Sequence, residues 1–280
     1  MYFITPFLYI LYSYVLFTSA STFDLQQLNT CVWLSGAAYC GKENYTTMHL
    51  SGPVTNFVYD GTLVDNTTDL QGFIGTMDRT IYVVFRGSSS AMNWLDDFEI
   101  LQVKYDTFPE CNCSVHYGFY QSALGVQFNT LYSIHSIKEA YPDYSIIVTG
   151  HSYGAAVALL VAMELVRSGY HDVKVYNYGQ PRVGDQAFAT FVNTVFAAGD
   201  DYVRVTHDRD VVPHLPPTEG FGYYHSCGEL FENGDGNLTI CSNTVCEDTN
   251  CSAQYSLEQA TTADHSVYLG HELSCCSSVV

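Results

Sequence analysis

The chain has 280 residues, with 10 Lys and Arg against 29 Asp and Glu, for a formal net charge of −19. That balance excludes most electrostatic nucleic-acid binding, which needs a basic face to release counterions, and it disfavours docking on anionic membranes. Apolar residues make up 47% and charged residues only 14%, so the chain fills a core and is not a disordered acidic tail.

Residues 2–17 are almost wholly apolar and uncharged, and Thr18-Ser19-Ala20 follows. This pattern reads as a secretory signal peptide cut near Ala20, leaving one mature domain over residues 21–280. A retained signal anchor is the alternative, because no Lys or Arg precedes the apolar run. The run is shorter than the ~20 residues of a membrane span, so no stable span is expected. Export is also suggested by ten cysteines and by Asn-x-Ser/Thr sequons at Asn44, Asn66, Asn112, Asn237 and Asn250. The cysteines are Cys31, Cys40, Cys111, Cys113, Cys227, Cys241, Cys246, Cys251, Cys275 and Cys276. Disulfide connectivity is not readable from them. No Cys-x-x-Cys pair has a partner pair and no His sits at finger spacing, so neither a metal nor a cofactor is expected.

Residues 80–85 form a β-branched and aromatic run and read as a buried strand; residues 145–149, 172–178 and 201–206 read as three more. Helical patterns lie between them. Over 117–141, Tyr120, Leu124, Leu131, Ile134 and Ile137 recur near the helical period, and Pro142 must end the helix. Residues 152–167 are nearly all apolar and stop at Ser168-Gly169, which predicts a buried core helix. Residues 185–198 predict a third. Alternating strands and helices imply an α/β fold, a mostly parallel central sheet with helices on both faces.

Gly150-His151-Ser152-Tyr153-Gly154 follows a predicted strand and opens a predicted helix. That is the context of a nucleophile elbow: a strained turn exposes the serine, and the helix N-terminus favours developing negative charge. A serine nucleophile needs a base, and the base needs an orienting carboxylate, in the chain order Ser, Asp/Glu, His for this fold. Asp210 and Asp208 both follow the 201–206 strand. Asp210 is favoured because a Val-Val-Pro-His-Leu-Pro-Pro run fixes the loop after it, whereas Asp208 sits beside Arg209. The candidate bases are His225, His265 and His271, and the order alone does not separate His265 from His271.

Together with these motifs, Phe85-Arg86-Gly87-Ser88, Tyr178-Gly179-Gln180-Pro181-Arg182-Val183-Gly184, Asp210-Val211-Val212-Pro213-His214 and Asp264-His265 resemble, in order and rough spacing, the secreted fungal and yeast lipases of the class 3 lipase family. The likeness covers most of the mature chain. It implies the α/β-hydrolase fold, a Ser152–His265–Asp210 triad and hydrolysis of long-chain acylglycerols at an oil–water interface by a monomer. It also implies an oxyanion hole from Ser88 and the backbone N–H of Tyr153. Ala91, Trp94, Leu95 and Phe98 share one helical face and correspond to the family's lid. The family's staple between chain ends suggests Cys31 with Cys275 or Cys276. Departures are Tyr153 where Leu is usual, Ala155 where Gly is usual, and Cys111-Asn112-Cys113 in place of a wider-spaced pair, which predicts strain in any bridge there. A soluble-ester or feruloyl-type esterase and a non-catalytic binding homologue are the alternative functions on the same fold.

Overall fold

The computed structural model describes residues 23–88 and 100–275. Eight strands form the central sheet, and their order in space follows the chain: β1 (Val58–Asp65), β2 (Leu70–Met77), β3 (Thr80–Phe85), β4 (Ser145–His151), β5 (Val173–Tyr178), β6 (Tyr202–His207), β7 (Glu229–Glu232) and β8 (Leu238–Ile240). From β3 to β7 all neighbours are parallel. The flanks are antiparallel: β1 with β2, β2 with β3, and β7 with β8. The four strands read from sequence are β3 to β6; β3 has the expected bounds and the other three are shifted by one or two residues.

Strand periodicity explains the layering. In β3, Ile81, Val83 and Phe85 enter one core, while Tyr82 and Val84 enter the other. The first core is closed by α2 (Tyr117–Ala140), α3 (Tyr153–Arg167) and α4 (Gln186–Val195), the second by α1 (Leu25–Ala37). Helix α2 ends before Pro142, and every residue of α3 from Gly154 to Leu165 is buried. This explains the all-round apolar composition of α3 without a membrane. No helix among the described residues is long and apolar enough to cross one. Helix α4 starts one residue later than predicted because Asp185 caps it, its carboxylate accepting from Phe188 N at 2.8 Å, and it ends at Val195, where Phe196 turns extended.

Helix α1 and the β1–β2 hairpin carry no sequence expectation. His265 lies within a 3-10 turn, Ala263–Ser266, and a two-stranded ribbon follows.

The disulfide expectation is corrected. Cys275 pairs with Cys40, not Cys31. Cys31 lies on the inward face of α1 with no exposure and a free thiol, whereas Cys40 follows the end of that helix and reaches the far end of the chain. The other bridges are Cys111–Cys113, Cys227–Cys246 and Cys241–Cys251. Asn112 adopts a left-handed conformation (φ 48°) between the first pair, so their Cα atoms lie 5.2 Å apart, inside the ordinary range for a disulfide. Cys276, the expected signal peptide (residues 1–20) and the expected lid residues Ala91, Trp94, Leu95 and Phe98 lie outside the described residues. All five sequon asparagines are exposed.

Burial pushes the Cys31 thiol up to about 12, and the thiolate is the reactive form. Iodoacetamide should therefore leave Cys31 unmodified in the native protein and alkylate it only after denaturation, as read by peptide mass spectrometry. Alkylation under native conditions would contradict the placement of α1.

Candidate active site

Strand β4 ends at His151 and helix α3 begins at Tyr153. Ser152 sits between them at φ 57° and ψ −130°, a conformation L-residues rarely adopt and one worth roughly 1–3 kcal/mol of strain. Close packing enforces it. A Cβ on Gly150 would lie 2.6 Å from the carbonyl carbon of Gly154, and one on Gly154 would lie 2.5 Å from the Phe85 carbonyl oxygen. The Ser152 N–H donates to the Tyr178 carbonyl at 2.9 Å, tying the turn to β5. Its Oγ does not cap α3; it is buried and has no hydrogen-bond partner among the described residues.

Asp210 follows β6 and is 2% exposed. One carboxylate oxygen accepts from Val212 N at 2.8 Å. The other lies 2.8 Å from His265 Nδ1 and also accepts from the Tyr268 hydroxyl. With an ionised carboxylate as partner, Nδ1 carries the proton, so Nε2 presents its lone pair; that atom is buried and unbonded among the described residues. It does not hydrogen-bond Ser152 Oγ in this resting arrangement. Catalytic hydrogen bonds commonly tighten only when substrate binds. The Tyr268 hydroxyl stays protonated because burial, then the Asp210 charge, raises it well above the usual tyrosine range. Gly179, at φ 56°, leaves room for this cluster: a Cβ there would lie within 3.1 Å of Tyr268 Oη, His265 Cε1 and Asp210 Oδ2.

The competing residues point elsewhere. Asp208 accepts from the Tyr255 hydroxyl at 3.2 Å and lies 3.6 Å from Arg209 Nε. His271 accepts from Trp33 Nε1 at 2.8 Å, against α1. His225 Nε2 donates to the Pro213 carbonyl at 2.7 Å. His265 alone of the three candidate histidines meets Asp210.

Three contacts in this cluster were not read from sequence. His151, inside the pentapeptide, donates from Nε2 to the main-chain carbonyl of His265 at 2.8 Å and accepts at Nδ1 from Tyr39 at 2.6 Å. Its ring lies 4.4 Å from that of His265, centroid to centroid. Tyr39 and Tyr268 come from opposite ends of the chain, and no local pattern marks either.

Ser88 is half-buried and follows β3. A Cβ on neighbouring Gly87 would be 2.9 Å from Ser152 Cβ, so this segment runs beside the turn. Arg86 holds it there, bonding Asp69 at 3.0 Å and the Gly87 carbonyl at 3.1 Å. Tyr153 is the first residue of α3, and its hydroxyl reaches Ser122 Oγ on α2.

The family model Lipase (class 3) matches residues 82–220, which span the serine turn and Asp210. The lipase of Rhizomucor miehei is 37% identical over 209 residues, 72% of this chain and 55% of that protein. The secreted mono- and diacylglycerol lipase 1 of Fusarium solani is 32% identical over 82% of this chain and 71% of its own length. A solved triacylglycerol lipase with a serine protease triad as its catalytic centre superposes with a TM-score of 0.81 at 31% identity, covering 90% of this chain and 97% of its own. The chain belongs to the class 3 lipase family. The structure thus has the family's α/β-hydrolase fold, and the segments that carried the resemblance surround one buried site. The match spans little more than half of the Rhizomucor miehei protein.

Burial, then the nearby His265, holds His151 well below the ordinary histidine value of 6.5. It stays neutral when folded, whereas an unfolded chain takes up the proton below pH 6.5. Stability therefore rises with pH through that window, by up to about 1.4 kcal/mol per pH unit. Buried Glu164 and Glu232, whose carboxyls burial raises, oppose this trend, so the check is a difference. Urea unfolding of His151→Gln between pH 7 and 5 should give a shallower pH slope than wild type. Equal slopes would mean that His151 titrates normally when folded.

Proposed function

We propose that this class 3 lipase is a secreted serine hydrolase that cleaves acylglycerol esters, releasing a fatty acid from triacylglycerol through an acyl-enzyme on Ser152. The observation that carries the reading is the buried Asp210–His265 contact, which leaves His265 Nε2, like the Ser152 hydroxyl, buried and without a hydrogen-bond partner among the described residues. The triad of the solved relative and the acylglycerol substrates in the relatives' names support it.

In the proposed reaction, His265 Nε2 takes the Ser152 proton as Oγ attacks the ester carbonyl. Asp210 keeps the imidazole oriented and balances the charge it gains. The carbonyl oxygen becomes anionic and accepts from the backbone N–H groups of Ser88 and Tyr153, with the Ser88 hydroxyl adding a third donor. Collapse breaks the ester C–O bond, and His265 returns its proton to the leaving alcohol. Water, deprotonated by the same nitrogen, then frees the acid. The apolar face of Ala91, Trp94, Leu95 and Phe98 would cover the site in water and turn toward lipid at an interface.

Secretion is part of the proposal. Disulfides persist in oxidising compartments, the five sequon asparagines are exposed for glycosylation, and residues 1–20 have signal-peptide character. Residues 21–280 are proposed to act as one monomeric domain.

Purified protein on emulsified triolein should release fatty acid. Ser152→Ala and Asp210→Asn should each lower turnover by roughly 10⁴-fold, and Ser88→Ala by a smaller factor, up to about 10²–10³. A fluorophosphonate probe should label Ser152. Equal fatty-acid release by wild type and Ser152→Ala would overturn the assignment.

A further inference from the structure

Between Asp210 and Pro217 the chain runs through Pro213, Pro216 and Pro217, which lack N–H groups. Such a run is held mainly through its carbonyls. Four successive carbonyls are held. Pro213 O accepts from His225 Nε2 at 2.7 Å, His214 O from Arg182 Nη1 at 2.5 Å, Leu215 O from Arg182 N at 2.8 Å, and Pro216 O from Arg182 Nη1 at 3.0 Å.

Both holding residues rest on one carboxylate. Glu247 accepts from Arg182 Nε at 2.8 Å and Nη2 at 2.9 Å, and from the His225 N–H at 2.9 Å. Glu247 is also pinned covalently, because neighbouring Cys246 is bridged to Cys227, two residues beyond His225. Arg182 itself lies three residues after Gly179, the glycine against the Asp210–His265–Tyr268 cluster.

We infer that Arg182 and Glu247 are positioning residues for the reaction proposed above, on which this inference rests: they clamp the 213–216 carbonyls and so hold Asp210 in register with His265. The link is short. Val212 N–H binds the Asp210 carboxylate, and Val212 O accepts from Leu215 N at 3.0 Å. Freeing 213–216 releases Val212, and Asp210 then loses one of the contacts that fix its rotation. Burial draws the Glu247 carboxyl upward, but the Arg182 guanidinium and the His225 N–H outweigh it and hold it at about 2. The Glu247 carboxylate therefore stays charged at neutral and mildly acidic pH. His225, driven well below the ordinary histidine range by burial and then by Arg204, serves as a neutral donor.

A buried ion pair that merely stabilised the fold would behave differently. Loss of folded protein scales activity down and leaves its pH dependence in place. A displaced Asp210 lowers the basicity of His265, which shifts the acid limb of kcat/KM to lower pH.

The test uses Glu247→Gln and Arg182→Lys in the full chain, assayed on soluble p-nitrophenyl butyrate at a temperature where circular dichroism shows full folding. The expected result is a kcat lowered about 10- to 100-fold, an unchanged KM, an acid limb moved to lower pH and slower fluorophosphonate labelling of Ser152. Wild-type kcat and acid limb in folded Glu247→Gln would overturn the inference, as would a loss that only tracks the unfolded fraction. Should Glu247→Gln fail to fold, the Cys227→Ser/Cys246→Ser pair loosens the same carboxylate and is expected to move kcat and the acid limb in the same direction by less. Hydrogen exchange at Val212, His214 and Leu215 reads the clamp without activity and should speed up in each variant. Unlabelled wild-type Ser152 would sink the proposed function; unchanged exchange would sink the clamp.

Discussion

Where β3 and β4 end, the 85–87 segment, the serine turn and the start of α3 come into close contact. A Cβ on Gly150 or Gly154 would strike main chain at 2.6 Å or less, and one on Gly87 would meet Tyr39 Oη at 2.2 Å and the His151 carbonyl at 3.0 Å. That contact forces the chain through the strained conformation at Ser152. Strain of this kind persists only when its surroundings over-determine it. Here the surroundings are parallel strands β3, β4 and β5 on one side and helix α3, buried from Gly154 to Leu165, on the other. Rearrangement of the turn would open the core against which α3 packs. The position of the serine is therefore a by-product of apolar packing.

The other half of the site is held in another way. Asp210 and His265 lie on irregular segments between β6 and the chain end, where much of the backbone has no ladder to join. Their precision comes from polar contacts instead. Arg204 is fully buried and bonds the Ser226 carbonyl at 3.0 Å and Glu229 at 3.3 Å. Glu229 also accepts from Thr206 at 2.7 Å and Ser252 N at 3.0 Å, so its charge is shared among several donors. A buried carboxylate so well supplied is tolerated, whereas one stripped of partners would be strongly destabilising. Cys227–Cys246 and Cys241–Cys251 close short loops around this polar interior. In a region with a small apolar cluster of its own (Phe231, Cys241, Cys251), covalent links supply order that burial does not.

What the sequence made legible follows the same division. Strands β3 to β6 and helix α3 announce themselves because burial on both faces demands continuous apolar runs, helix α2 because apolar residues recur at the helical period, and Pro142 and Ser168-Gly169 end the helices. The serine turn is equally local, since its glycines stand within five residues. Strand β1 alternates exposed and half-buried positions over much of its length, and pairing with β2 rather than its own composition makes it a strand. Helix α1 buries Cys31 and leaves Cys40 free to reach Cys275, a distinction of helical register that cysteine spacing does not carry. The choice between His265 and His271 depends on which element each packs against, α1 for His271 and the Asp210 loop for His265. Tyr39, His151 and Tyr268 support that choice from three distant stretches of chain.

The two modes of fixation have different sensitivities. A site held by close packing of backbone fails abruptly, because any added Cβ at Gly150 or Gly154 meets main-chain atoms that cannot yield. A site held by hydrogen bonds degrades in steps, because the four carbonyls of the 213–216 run are divided between His225 and three donations from Arg182, and the loss of one bond leaves the others. Ser152 and His265 thus depend on unlike parts of the molecule, joined through Gly179, the His151–His265 carbonyl contact and the Tyr178 carbonyl that receives the Ser152 N–H. Those few links carry the relative placement of Ser152 and His265. They leave Ser152 Oγ and His265 Nε2 both buried and without a hydrogen-bond partner among the described residues.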